Sequence, residues 1–583
     1  MIKDLRLPQD LYAWGQDRGG SLIPLLGWPL HHIAGLSVLW SESIVHYLIL
    51  FVGYWCLSRF LKPGANRLIF AIAWFFPPYW FWSLTRFPFG VQYSLTGLAL
   101  YLLWIRKPEN SSGFKNMLPI VLATLVLATS LWVSDLNVTS IIALLLISLY
   151  SLKRSGLSFR QIPMLPEIKF IVIPSVLCAA FLLYAKIHAV ETTAYNHGIL
   201  NNFSQICESV AGLLSSVWRI ITFQQETMLF SVFGILAIIL ILLSMLWRPK
   251  LNRVQKRTCL FFVLDSTILL MTILVSHWAY SNGVSRRYFT GIYIGITMII
   301  LIVIENNIGM KRTVLQAVAV TAVLIGGIGY IHYLKTVYPK TLKPMASVVG
   351  EFSRLGEIGV IGEYWNSYIT ACPDPYKITA IPHDSSFSRS QMLVDEAFTK
   401  PKLYVIKDMW LKEFPDSMYQ YGYKLKRKGA SFEIGKCVVN EYEKVTEKRD
   451  FYPKDLIVLD NYAVYDSISS RTIVFADSSC HECREKHLIY GPGISLVKGK
   501  YQVLFFMKFD QIRPGSDLAI LDITADHGQI QLARSVINAR DVTGGNNLYF
   551  QLNVENSVLR NNVEFRLFFL GNSSITFDHI SLR

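Results

Sequence analysis

Between about Ile44 and Leu334 the chain passes through one long apolar run after another, and this constrains the fold more than any other feature. No soluble domain buries so much contiguous apolar sequence, so this half reads as a polytopic helical membrane domain. From about Lys335 onward apolar and polar residues mix as they do in a soluble protein. The averages over 583 residues, 52% hydrophobic and 17% charged, blend two unlike halves.

Apolar windows of roughly 17–25 residues place membrane helices near 43–61, 68–85, 89–105, 117–134, 138–152, 170–188, 227–247, 258–280, 288–305 and 313–333. About 10 or 11 spans are therefore expected. The formal charge of +15 would suggest nucleic acid in a soluble protein. Here it follows the loops. One set holds Lys62, Arg67, Arg106, Lys107, Lys115, Lys153, Arg154, Arg160, Lys169, Arg248, Lys250, Arg253, Lys256, Arg257, Lys311 and Arg312. The alternate set holds Arg86, Lys186, Arg219, Arg286 and Arg287. This is the positive-inside bias of a multi-pass membrane protein, with no nucleic-acid partner implied. The first set then faces the cytoplasm. The loops around Arg86, Asp135, 189–226 and 281–287 face outward, as does the C-terminal half.

The first twenty residues have no apolar core of the kind a cleavable signal peptide needs. The abrupt start leads us to expect one more helix upstream. Residues 21–40, "SLIPLLGWPLHHIAGLSVLW", carry Pro24, Gly27, Pro29 and His31-His32, all costly in a lipid-facing span. This stretch reads as an interfacial segment, which puts Asp17 on the outward side with Asp135.

The outward loops bring together a small polar set: Asp17-Arg18 in "DLYAWGQDRGG", Asp135 in "LWVSDLNVT", and Arg286, Arg287 and Tyr288 in "SNGVSRRYF". Charges at a membrane boundary are functional candidates by default. A carboxylate could activate a hydroxyl or hold a divalent cation, Mg or Mn. Arginines hold phosphate through paired hydrogen bonds. Each also has a plainer reading. Asp135 suits an N-cap for a helix starting near Asn137, Asp17 a solvated loop acid, and Arg286-Arg287 a headgroup anchor.

An outward first loop ending in an acid, an amphipathic segment, a second acid in a later loop, many spans and a soluble outer part together resemble the integral-membrane glycosyltransferases of the C superfamily. That group includes protein O-mannosyltransferases, the aminoarabinose transferase of lipid A and O-antigen glucosyltransferases. The resemblance covers roughly 1–335 and implies transfer of a sugar from a polyprenyl-phosphate donor to a glycan or lipid acceptor, outside the inner (plasma) membrane. It implies Asp17 as general base, Asp135 as a supporting acid, and Arg18, Arg286, Arg287 and Tyr288 near the donor phosphate. Many relatives carry two adjacent acids in the first loop. Here Gln16 precedes Asp17, which weakens a two-carboxylate metal site. The rivals are a transporter or flippase of lipid-linked sugar, with Pro77-Pro78 as its broken helix, and a non-catalytic glycan-binding assembly protein.

Residues 336–448 alternate strand-like and helical runs, as in a small α/β domain. Tyr364 and Trp365, at a strand end, could touch a sugar or simply pack at a turn. Residues 449–583 show regular short strands with turn signals, as in a β-sandwich. Their runs "LVKGKYQVLFF" and "ITFDHISL" look like carbohydrate-binding jelly rolls. "SSCHECREKH" has one CxxC and no second pair, so a disulfide reads better than zinc. Cys480 with Cys483 and Cys372 with Cys437 is the simplest pairing.

Overall fold

The computed structural model describes residues 1–16, 18–105, 114–154, 166–190, 199–224, 228–336, 349–386, 388, 390–445, 449–459, 462–467, 471–479, 484–497, 499–542, 549–556 and 560–583. It divides into two compact units, Met1–Val348 and Val349–Arg583.

The first unit is helical: α1 (Leu22–His32), α2 (Val38–Ser58), α3 (Ala65–Phe75), α4 (Phe89–Trp104), α5 (Phe114–Val133), α6 (Val138–Arg154), α7 (Pro166–His188), α8 (Phe203–Ile221), α9 (Met228–Leu246), α10 (Arg253–Val275), α11 (His277–Ser281), α12 (Thr290–Asn306) and α13 (Gly309–Thr336). Seven of these, α2, α6, α7, α9, α10, α12 and α13, are long and apolar enough to cross a membrane among the described residues. That is fewer than the ten expected, for identifiable reasons. Pro77-Pro78 interrupts the predicted 68–85 span, and α3 meets the 3₁₀ turn Tyr79–Thr85 at 91°. Counting that bent pair as one span gives eight. Helix α4, at 16 residues, falls short, and α5 counts only as the shorter apolar helix Met117–Val133 among the described residues.

The helix α1 has 11 residues. At 1.5 Å per residue it rises about 16 Å, half the hydrocarbon core. The stretch 189–226, read from the sequence as an outward loop, contains α8. Its start is written locally: Asn202 accepts from the Gln205 backbone N–H at 2.9 Å while Gln205 reaches back to the Asn202 N–H at 3.0 Å. This reciprocal cap satisfies two helix-end donors. The same device, Asn252 with Gln255, opens α10.

Small residues let helices approach. A Cβ on Gly53 of α2 would overlap Ser94 of α4, the close packing that holds helices together when lipid removes the hydrophobic drive. The core centres on Leu50, Leu57, Phe70, Trp74, Leu100, Phe261, Phe262, Met298 and Leu301.

The second unit starts with a six-stranded sheet made of β1 (Ile358–Gly362), β2 (Ile378–Pro382), β3 (Lys402–Lys407), β4 (Ser417–Gln420), β5 (Tyr423–Ile434) and β6 (Cys437–Val445), in the order β2-β1-β3-β6-β5-β4. Strands β2, β1 and β3 are parallel, joined through the helices Tyr364–Ala371 and Gln391–Thr399. Every residue of β1 and β2 is buried, as parallel strands covered on both faces require.

Two further six-stranded sheets follow. One contains β7 (Arg449–Phe451), β9 (Ala463–Asp466), β10 (Arg471–Ala476), β13 (Gly499–Asp510), β16 (Tyr549–Asn556) and β18 (Ser574–Leu582). The other contains β8 (Ile457–Val458), β11 (Lys486–Tyr490), β12 (Pro492–Leu496), β14 (Asp517–Ala525), β15 (Ile530–Asn538) and β17 (Arg560–Phe569). Along β17, Val563, Phe565, Leu567 and Phe569 alternate inward with period two. They share one core with Val503, Phe505 and Phe577 of the other sheet, which makes a sandwich.

Cys372 follows the helix Tyr364–Ala371, and Cys437 opens β6. Cys372 closes its helix with Sγ 3.6 Å from the Tyr368 carbonyl oxygen. Cys480 and Cys483 lie outside the described residues.

Candidate functional site

Asp17, the expected base, lies outside the described residues. Its neighbours are fixed by a short antiparallel fold-back. Tyr12 pairs with Gly20, Ala13 N–H donates to the Gly19 carbonyl at 3.0 Å, and Ser21 N–H donates to the Leu11 carbonyl at 3.1 Å. Asp10 ties the loop from within, accepting from Arg6 N–H and Trp14 Nε1, each at 2.8 Å. Gly20 N–H then donates to the carbonyl of Trp132 at 2.8 Å, joining the loop to the end of α5. The approach is so close that a Cβ on Gly20 would sit 2.5 Å from the Trp132 ring.

Arg18 places its guanidinium 5.0 Å from the Trp278 ring centroid. Trp278 shares an apolar cluster with Leu136, Phe89, Tyr288 and Leu269. Thus the loop carrying Arg18, the turn Asp135–Asn137, the start of α4 and the segment 276–289 meet. Asp135 is exposed at that turn, next in the chain to Leu136 of the cluster. Arg286 and Arg287 are exposed on the short turn leading into α12, while Tyr288 is buried. Arg287 donates to the Tyr288 hydroxyl at 3.1 Å. The Arg286 guanidinium lies 5.5 Å from the Trp80 ring, on the bent segment after Pro77-Pro78. Arg86, at the far end of the same segment, stacks on Trp82 at 3.4 Å.

Of the residues singled out in the sequence, Arg18, Asp135, Arg286, Arg287 and Tyr288 therefore gather at one set of helix ends. These are the start of α4, the end of α5, the start of α6, the end of α10 and the start of α12. Tyr364 and Trp365 belong to the other unit. Arg18 and Arg286 sit over indole faces and Arg287 over the Tyr288 ring, a pairing worth about 0.5–2 kcal/mol each depending on desolvation.

Below this set runs a buried polar seam that sequence reasoning missed. Asp265 of α10 is fully buried and accepts from Thr139 Oγ1 at 2.8 Å, Ser140 Oγ at 3.0 Å and the Tyr93 hydroxyl at 3.3 Å. Thr96 donates to Asn137 Oδ1 at 2.8 Å, and Ser130 donates to the Gln92 carbonyl at 3.0 Å. The start of α6, next to Asp135, is thereby pinned to α4 and α10. The signal was present as a lone acid inside "LFFVLDSTILLM"; intramembrane carboxylates are rare enough to be candidates on sight.

Among the described residues no group of three or more His, Cys, Asp and Glu side chains is gathered as a metal-ligand set. The Mg or Mn expectation has no such set to rest on among them.

No protein-family profile matches the chain, and no curated protein matches it. Among solved structures, the arabinofuranosyltransferase AftD from Mycobacteria aligns over 98% of this chain and 58% of its own, at 9% identity and a TM-score of 0.38. The C-terminal CBM6 of LamC, a laminarinase from Zobellia galactanivorans, aligns over 23% of this chain and 98% of its own, at 13% identity and a TM-score of 0.17. The arabinose-bound α-L-arabinofuranosidase MgGH51 aligns over 24% of this chain and 22% of its own, at 14% identity and a TM-score of 0.16. Superpositions this loose fix neither a shared fold nor a shared activity.

Proposed function

We propose that this chain is a membrane glycosyltransferase that moves a sugar from a polyprenyl-phosphate donor to a glycan or lipid acceptor on the outer face of a bacterial inner membrane. The observation that carries the reading is the meeting of Arg18, Arg286, Arg287 and Tyr288 with Asp135 at one set of helix ends, beside Trp80 and Trp278. Cations on indole faces beside apolar helices suit a lipid phosphate, whose charge needs neutralising where its polyprenyl tail enters lipid.

The chemistry is a single displacement. The acceptor hydroxyl oxygen attacks the anomeric carbon and passes its proton to the carboxylate of Asp17. The bond from the anomeric carbon to the phosphate oxygen breaks, and its electron pair leaves with the polyprenyl phosphate. Arg18, Arg286 and Arg287 offset the charge developing on that oxygen, with the Tyr288 hydroxyl beside Arg287. Asp135 orients the acceptor. The anomeric configuration inverts. The C-terminal unit stands on the outer side, where its sandwich could hold acceptor glycan.

Purified protein supplied with polyprenyl-phosphate sugars should release polyprenyl phosphate, and Asp17→Asn should abolish the release while the variant stays folded. Wild-type turnover in that variant would remove Asp17 from the mechanism.

One observation favours a second reading, a transporter of lipid-linked sugar. The 91° break after α3 follows 11 residues of helix, about 16 Å of rise, near mid-depth of a bilayer. Broken helices at that depth mark transport sites. Movement of a labelled lipid-linked sugar across vesicles, without release of polyprenyl phosphate, would select it.

A further inference from the structure

The second unit contains a separate constellation at the carboxyl ends of β1, β2 and β3. The chain leaves β1 toward β2 on one side and returns to β3 on the other. The crevice outside the strands at such a reversal is where open α/β sheets bind ligands. Three acids stand there: Glu363 after β1, Asp384 just after β2 and Asp408 after β3. Asp408 is held in place, accepting from the Glu363 N–H at 2.9 Å and from Asn366 Nδ2 at 3.3 Å through one oxygen, and from the Trp410 N–H at 3.4 Å through the other. His383, its backbone N–H on the Gly362 carbonyl at 2.9 Å, stacks on Trp410 with centroids 4.6 Å apart and planes 8° apart. The buried ring nitrogens His383 Nδ1 and Trp410 Nε1 have no hydrogen-bond partner among the described residues.

The same edge carries bare apolar surface. Trp365 is 74% exposed and Met409 95% exposed. Trp365 lies just past the end of β1, and Met409 follows Asp408 just past the end of β3. An indole left in water forfeits one of the largest burial gains any side chain offers, so its placement beside ordered carboxylates needs an occupant.

The usual occupant of a doubly wound edge is a nucleotide, whose phosphate sits on the N-terminus of the helix after β1. Here that position is filled from within. The Glu363 carboxylate accepts the Trp365 N–H at 3.0 Å, so a negative charge already occupies the helix end. The turn reads "GEYW", without the glycines that let backbone approach phosphate. A polyanion is repelled. A neutral polyol is not: hydroxyls donate to carboxylates and accept from amide N–H groups such as that of Asn366, and the C–H face of a sugar ring packs on an indole.

We infer that the carboxyl edge of β1, β2 and β3 is a site for neutral carbohydrate, with Trp365 as its stacking platform and Asp408 and Asn366 as its polar side. It does not depend on the reaction proposed for the helical unit.

The test uses the full-length chain in nanodiscs, titrated with neutral gluco-, manno- and arabino-oligosaccharides, with inorganic pyrophosphate and ADP as the competing class. At least one oligosaccharide should bind, with the affinity at least tenfold weaker in Trp365→Ala. That exposed position can be changed with the unit's circular dichroism unaltered, whereas Asp408→Asn, which touches backbone, should weaken binding and is read alongside it. Binding that Trp365→Ala leaves unchanged belongs elsewhere, for instance on the sandwich, and overturns the assignment. Absence of any oligosaccharide binding overturns it, as does ADP or pyrophosphate binding that Trp365→Ala abolishes.

Discussion

Arg18 lies with its guanidinium 5.0 Å from the centroid of the Trp278 indole, so the first loop of the chain is fastened to the segment between α10 and α12. If that loop presents Asp17 to an acceptor, the stacking positions it. Trp278→Ala removes a contact of about 0.5–2 kcal/mol. At about 1.4 kcal/mol per tenfold, turnover efficiency should fall by a few-fold to roughly thirtyfold, and Trp278→Phe should restore part of it. Steady-state kinetics with a polyprenyl-phosphate donor read both. Unchanged kinetics in Trp278→Ala would show that the loop is held without it.

The second fastening is steric. A methyl group on Gly20 would meet the Trp132 ring at 2.5 Å, and the backbone there is committed to the Trp132 carbonyl. Gly20→Ala should cost about 1–3 kcal/mol, the usual range for overpacking. Adding Trp132→Ala should recover part of that loss, since the two positions touch and their effects cannot add. Thermal unfolding of the four proteins in one detergent gives the coupling directly. Purely additive losses would mean the loop has moved away.

What the sequence made legible followed from periodicity and charge. The long apolar runs announced the helical unit, and period-two runs such as "VEFRLFFLG" announced the sandwich strand β17. The charge asymmetry grouped the loops of Asp135 and Arg286, the reading of residues 21–40 as an interfacial segment added the loop of Arg18, and the helix ends they occupy meet. Three things were harder to read. Pro77-Pro78 was visible, but a 91° turn rather than a kink depends on what packs around it. The helix α8 has small and polar residues on one face, "SQ", "ES" and "SS", which pull its mean hydropathy below that of a span. The Asp265 seam joins positions from α4, α6 and α10 that are far apart in the chain. Only a fold says which hydroxyls will face one carboxylate.

That seam makes its own prediction. Asp265 receives three hydroxyl donors, and two of them, from Thr139 and Ser140, hold the start of α6 beside Asp135. Asp265→Leu strands those donors and should destabilise the helical unit by about 1–3 kcal/mol, the cost of buried groups left unpaired. Asp265→Asn keeps one acceptor oxygen and should cost less. If the seam positions Asp135, both variants should lower kcat while leaving donor KM nearly unchanged. An effect on melting alone would make Asp265 a structural group.

The last prediction concerns pH and the sandwich. Burial holds the imidazole of His487, on β11, below its usual value of 6.5, with the charges of Asp522 and Glu564 pulling the other way. The ring packs edge-on against Phe568 at 5.1 Å. Because the folded value is depressed, the unfolded chain takes up the proton first as pH falls below about 6.5. Stability is therefore present above that pH and is lost as pH falls from the unfolded value toward the folded one. Asp522, opposite in sense, has its carboxyl raised by burial, so it adds stability as pH falls through its raised value. His487 is only partly buried, so solvent screening should keep the effect modest. Amide exchange in Lys486–Tyr490, corrected for intrinsic rates, should quicken between pH 7 and pH 5. His487→Gln should flatten that dependence, and Asp522→Asn should steepen it by removing a charge that holds the imidazole up. A dependence that survives His487→Gln would assign the titration to another group.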